Sequence, residues 1–159
     1  MPSIKGVVTD ASRSLSRRHS SKIRTEIRRF IRQFPQLRFH VLLTPLDPEV
    51  SLGKFAFWVF NHGTLCSTLE KGGLNFQLLL VIDSDSGRAN LSIGYGLEPF
   101  VSEAHLQSIL QAGEEALRLE AYGDATLAIL AQAAEVLHQI GDAIPRTYGM
   151  RPRAQSNEF

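Results

Sequence analysis

Ile23, Ile27, Phe30, Ile31 and Phe34 recur at steps of four and three, the spacing of one face of an α-helix. The arginines between them fall on the other face. The pattern predicts an amphipathic helix from about Ser14 to Gln33, stopped at Pro35. From Leu37 to Leu43, large apolar residues alternate with Arg38 and His40, which predicts a strand with His40 partly exposed. Asp47-Pro48-Glu49 then reads as a helix start: a carboxylate to cap free N–H groups, a proline with preset φ, and an acid at the positive end of the dipole. Val50 to Phe60 is dense enough in aromatics to suit a strand, but its length and the start signal favour helix.

Residues 62–74, with Gly63, Gly72 and Gly73, read as connecting loop. The apolar run Gln77 to Ile82, a turn rich in Asp, Ser and Gly, and a second alternating run then predict a β-hairpin. It ends at Gly94-Tyr95-Gly96-Leu97-Glu98, whose glycines suggest special backbone conformations. Ser102 caps a helix through about Leu119, with Leu106, Ile109, Leu110, Gly113 and Leu117 inward. Asp124 caps the last helix, which carries the stripe Leu127, Leu130, Ala134, Leu137 and Ile140 and ends at Gly141. The order helix, strand, helix, strand, strand, helix, helix describes a small α/β domain whose helices cover a short mixed sheet. Residues 142–159 have no period and are expected to be a poorly ordered tail after one domain over 1–141.

Composition supports one globular domain: 159 residues, 43% hydrophobic and 21% charged. The single Cys66 excludes an intramolecular disulfide and a multi-cysteine metal site. Neither a membrane-spanning run nor a signal-peptide core is present in the sequence, so the chain as given is expected to be soluble. The formal charge of +1 hides an asymmetry. Residues 1–38 hold ten Lys/Arg against Asp10 and Glu26, and residues 39–159 hold seven against fourteen acids. The basic first helix either solvates and partly neutralises an acidic body or, through Arg17, Arg24 and Arg28, meets an anionic surface.

Several catalytic patterns begin in the sequence and stop short. Asp83-Ser84-Asp85-Ser86-Gly87 after LLLVI is similar to the haloacid-dehalogenase phosphatase signature, but Gly87 replaces its Thr or Val and a strand follows where a long crossover belongs. An EF-hand loop begun at Asp83 would have Arg88 and Gly94 where it needs Gly and Glu. A dinucleotide fingerprint begun at Gly94 meets Pro99 in place of its third glycine. Cys66 has Gly72 where a tyrosine-phosphatase loop carries Arg, and the five histidines have no ligand-like spacing. What is left is a scatter of oxygen donors at element ends: Asp10, Asn75, Asp83, Glu98 and Glu103. Hard cations such as Ca2+ and Mg2+ take such ligands, and helix caps use the same residues.

The chain resembles the TPM domain family, named for a thylakoid lumen protein, a photosystem II assembly protein and a nematode receptor modulator. The match rests on V-V-T-D-A-S-R-S-L (Val7 to Leu15), F-N-H-G (Phe60 to Gly63), N-F-Q-L-L-L-V (Asn75 to Val81), G-Y-G-L-E (Gly94 to Glu98), V-S-E-A (Val101 to Ala104) and E-A-Y-G-D-A (Glu120 to Ala125). The block Gly94, Tyr95, Gly96, Leu97, Glu98 is the most specific part. The resemblance implies a three-layer α/β/α sandwich. It also implies divalent-cation binding, as in some members, and the acid phosphatase activity proposed for plant members, while other members act as assembly or modulator modules.

Carried over by position, Asp10 matches the family's N-terminal Asp, Asn75 the first Asn of its Asn-Asn-Gly, and Glu103 a position where Asp is usual. Phe76 and Gln77 stand where the second Asn and the Gly belong, and Phe offers a cation no ligand. The leading expectation is therefore a TPM-like module that binds a partner or a divalent cation, Ca2+ or Mg2+, with at most weak catalysis. The alternative is a metal-dependent acid phosphatase acting on phosphate monoesters, its cation held by Asp10, Asn75 and Glu103 and Asp83 its base. The third reading is the anionic-surface contact through the first helix. No specific nucleic-acid recognition is expected, and relatives are often exported or membrane-associated.

Overall fold

A computed structural model of the chain describes residues 7–62 and 76–141. Asn75, Cys66, the glycines of the 63–75 connection and the tail 142–159 lie outside the described residues. The elements run β1 (Val8–Asp10), α1 (Arg17–Gln33), β2 (Arg38–Thr44), α2 (Leu52–His62), β3 (Gln77–Asp83), β4 (Arg88–Ile93), α3 (Glu103–Gln111), α4 (Glu114–Arg118) and α5 (Tyr122–Ile140). The sheet order is β1-β2-β3-β4, with the first three strands parallel and β4 antiparallel to β3.

Three layers result, because successive side chains on β2 and β3 point to opposite faces and both faces are covered. Phe39, Val41, Leu43, Leu78, Leu80 and Ile82 pack with α1, α3, α4 and α5 on one side. Leu42, Leu79 and Val81 pack on the other under Leu52, Ala56, Val59 and Phe60 of α2. Phe30 ties α1 to the sheet by meeting the Phe39 ring edge-on, centroids 5.3 Å apart. Among the described residues no helix is long and apolar enough to cross a membrane.

The periodic elements lie close to where the sequence puts them, and the departures have physical causes. His40, expected to be partly exposed, is only 7% exposed, because α2 roofs its face of the sheet; its Nε2 meets Gln77 Oε1 at 3.0 Å. The strand β1 went unread, since three residues on a sheet edge carry no period. The helix α1 begins at Arg17 rather than Ser14 because Asp10 draws the Ser14 and Leu15 N–H groups out of helical geometry and Ser16 caps instead. Asp47 to Val50 is a turn, closed by Val50 N–H donating to Asp47 O, and α2 starts only at Leu52.

The single helix expected from Ser102 to Leu119 is two, α3 and α4, broken around Gly113. A Cβ on Gly113 would lie 2.8 Å from the Ile129 side chain and 3.0 Å from Ala125 O, so the break lets the chain press against α5. Asp124 does not cap α5, which begins two residues earlier with Ala121 at its N-cap. Its Oδ1 instead lies 3.2 Å from His19 Nε2 on α1.

Candidate functional site

At the carboxyl end of the parallel strands, where open α/β sheets usually place ligands, sit Asp10 and Asp83. They are separated by β2, roughly 10 Å at about 4.8 Å per strand. Both are engaged by their own chain. Asp10 Oδ1 accepts from Ser12 Oγ (2.8 Å) and Ser14 N–H (3.1 Å), and Oδ2 accepts from Leu15 N–H (2.8 Å). Asp83, only 2% exposed, takes Leu46 N–H (3.1 Å) and Asp85 N–H (3.0 Å) on Oδ1 and the Ser86 hydroxyl (2.6 Å) on Oδ2. Burial opposes ionisation of Asp83, but the donors together, led by the Ser86 hydroxyl, outweigh it and hold the carboxyl below its ordinary value. Arg88 stands 4.0 Å away. Nearby, the Tyr122 hydroxyl donates to Ser84 O (2.9 Å), and burial, reinforced by the charges of Glu120, Asp83 and Asp85, raises its pKa.

The hairpin turn itself depends on Gly87, whose φ of +74° lies in the left-handed region that favours glycine. Gly94 and Gly96, by contrast, keep ordinary backbone conformations: Gly87 is the one glycine with positive φ among the described residues. The Gly94–Glu98 segment is a turn at the opposite end of the sheet, tied to β3 by Gly94 N–H donating to Gln77 O (3.0 Å). It drives Leu97 fully into the core, and Phe100 and Val101 N–H both donate to Leu97 O (2.9 Å each). Tyr95, 73% exposed, is thrown outward.

Glu103 opens α3 and is exposed. Ser102 and His105 already satisfy that helix start reciprocally, the Ser102 hydroxyl accepting from His105 N–H and His105 Nδ1 accepting from Ser102 N–H. The other end of α3 approaches the hairpin turn, where Gln107, Leu110 and Gln111 share a hollow of about 640 Å³ with Ser86, Gly87 and Arg88. Glu103 therefore lies at the end of α3 that follows the Gly94–Glu98 turn, away from the hairpin turn. The fold brings Asp10 and Asp83 to one end and Glu98 and Glu103 to the other, and does not bring Asp10 together with Glu103. Among the described residues no three His, Cys, Asp or Glu side chains are placed to hold a metal ion.

Two further concave surfaces assemble. A hollow of about 240 Å³ lies between α2 and the Gly94–Glu98 turn, lined by Phe57, Phe60, Asn61, Ser92, Tyr95 and Glu98. Sequence reading gave Phe57 no role and Asn61 only a place in F-N-H-G. The signal for Phe57 was an aromatic run too dense for the buried stripe of Leu52, Ala56, Val59 and Phe60, which leaves Phe57, 65% exposed, and Trp58 facing out. A second hollow of about 350 Å³ lies along α1 and brings together Arg17, Arg24 and Arg28 with Ser20 and Ser21.

Known structures share this architecture. The N-terminal domain of the cg2496 protein from Corynebacterium glutamicum superposes with a TM-score of 0.63 at 14% identity, covering 95% of this chain and 88% of its own. The BA42 protein from Bizionia argentinensis gives 0.70 at 13%, covering 90% and 92%. The N-terminal domain of a P. gingivalis protein gives 0.66 at 24%, covering 85% and 84%. At these identities the likeness is one of fold. No curated protein matches by sequence. The TPM domain profile matches residues 8–136, from β1 into the last turns of α5, and the chain belongs to the TPM domain family.

Proposed function

We propose that this TPM domain is a binding module that receives a protein partner in the hollow between α2 and the Gly94–Glu98 turn. One observation carries the reading: Phe57 and Tyr95 stand exposed on either side of a concavity floored by the buried Phe60. Exposed aromatic rings beside a concavity are the anchor chemistry of protein interfaces. Asn61 and Glu98 add an amide and a carboxylate to the rim, so the complementary surface is an apolar side chain flanked by a donor or a cation. Catalysis is at most weak in this reading. A general base works best with a pKa near the operating pH, whereas the carboxyl of Asp83 is held low and wrapped in donors.

Selection of short random peptides displayed against the domain tests the proposal. Enriched peptides should carry an aromatic or large aliphatic anchor and bind Phe57→Ala and Tyr95→Ala about tenfold more weakly than the unaltered domain. Peptides that bind the variants equally well would overturn it. The phosphatase alternative asks Asp10, Asn75 and Glu103 to hold Ca2+ or Mg2+. Turnover of p-nitrophenyl phosphate that requires either cation and vanishes in Asp10→Ala would establish that alternative instead.

A further inference from the structure

The seventeen residues of α1 carry seven Lys/Arg and one acid, Glu26. If this charge served to neutralise the acidic body, the arginines would reach its carboxylates. Among the described residues they do not. Glu26 pairs with Arg29 inside the helix, and the ion pair that links α1 to the rest of the fold uses His19 and Asp124. Among the described residues Arg17, Arg24 and Arg28 meet no carboxylate. They occupy one face of the helix at steps of seven and four, and line the same hollow with Ser20 and Ser21. Arg24 is steadied by donating to Val8 O (3.4 Å) and Arg28 by donating to Thr25 Oγ1 (3.3 Å), each with further N–H donors to offer. The first turn of α1 holds no acidic residue, so the positive end of the helix dipole is met by the neutral Ser16 hydroxyl and by no carboxylate. Asp10, the nearest acid before α1 in the chain, has both oxygens occupied by Ser12, Ser14 and Leu15.

We propose that the α1 hollow is a binding site for a multiply charged phosphate group, gripped by the guanidinium groups of Arg17, Arg24 and Arg28 and the hydroxyls of Ser20 and Ser21. Arginine rather than lysine at all three positions matches the paired oxygens of phosphate, which the planar guanidinium engages two at a time. Apart from Leu15, every residue lining the hollow ends in a guanidinium or a hydroxyl, and a soluble polyphosphate and a phosphorylated lipid headgroup share the chemistry that suits them. The site is independent of the aromatic hollow, which α2 and β4 build on the other side of the sheet.

The test titrates the full chain with sodium tripolyphosphate by calorimetry. In parallel it measures co-sedimentation with phosphatidylcholine vesicles containing phosphatidylinositol 4-phosphate. Saturable binding of tripolyphosphate supports a soluble ligand, and binding of vesicles alone supports a lipid headgroup. In either arm Arg24→Ala and Arg28→Ala should each weaken binding about tenfold, since each removes charge-assisted hydrogen bonds, and Arg24→Lys should weaken it by loss of the fork. The control is Arg32→Ala, an exposed cation of the same helix outside the hollow, expected to change affinity less than twofold. These exposed residues leave the core untouched, and unchanged thermal melting verifies that. Absence of binding in both arms, or equal loss in Arg32→Ala and Arg24→Ala, would overturn the site and leave only diffuse charge.

Discussion

Replacing Asp83 tests whether this aspartate holds the end of the sheet together. Its carboxylate accepts from Leu46 N–H, Asp85 N–H and the Ser86 hydroxyl. In Asp83→Ala water can reach Asp85 and Ser86, which are exposed, but the bond to Leu46 is buried. An unsatisfied buried donor costs about 1–3 kcal/mol, and lost charge-assisted bonds add to it. A total near 3 kcal/mol is expected, which at about 2 kcal/mol per molar urea moves the unfolding midpoint by roughly 1.5 M. Asp83→Asn keeps the acceptor for Leu46 and should lose about half as much.

The pH dependence has a definite sign. The folded-state pKa of Asp83 lies below its ordinary value of 3.8. Its contribution is therefore fully present above that value and is lost as pH falls through the folded pKa. The stability gap between the unaltered chain and Asp83→Asn should accordingly be constant from pH 7 to about 5 and close on further acidification. A gap under about 0.5 kcal/mol at pH 7, or one that widens in acid, would refute the reasoning.

Other substitutions probe the same framework. Gly87→Ala should lower the melting temperature by about 2–6 °C, because the residue sits at φ +74° and a Cβ would lie 3.2 Å from Leu117 O; an unchanged melt would show that the turn relaxes freely. Leu97→Ala should cost about 2–5 kcal/mol in chemical denaturation as a fully buried side chain, while Tyr95→Ala should stay within about 0.5 kcal/mol; the reverse order would contradict the inward and outward roles given to this turn. Gly123→Ala would drive a Cβ into the His19 ring and should destabilise by about 1–3 kcal/mol through overpacking. Adding His19→Ala should recover most of that loss, and additive losses in the double variant would disprove the contact.

The parts of the fold legible in the sequence were those with a repeated pattern: the α1 stripe, the β3–β4 hairpin and the α5 stripe each carry several residues in phase. The parts that escaped depend on tertiary partners. His40 looked half-exposed because the alternation along β2 does not reveal that α2 covers the polar-looking face. Ser102 to Leu119 looked like one helix because Gly113 breaks it for the sake of contact with Ile129 and Ala125, residues of a later element. Asp124 carried a capping signal, yet α5 begins earlier and the side chain turns to His19 instead. Of the candidate site, Tyr95, Glu98 and the three arginines were readable as residues, whereas their assembly into two hollows follows from helix faces that only the packed sheet determines.

All seven residues of β3 are buried, and the strand is hydrogen-bonded on both sides, to β2 and to β4. Its amide protons have no local opening through which to exchange with solvent, so they should exchange only when the whole domain unfolds. Their slowest rates then measure global stability directly, without denaturant. The three-residue edge strand β1 should lose its protons by local fraying long before.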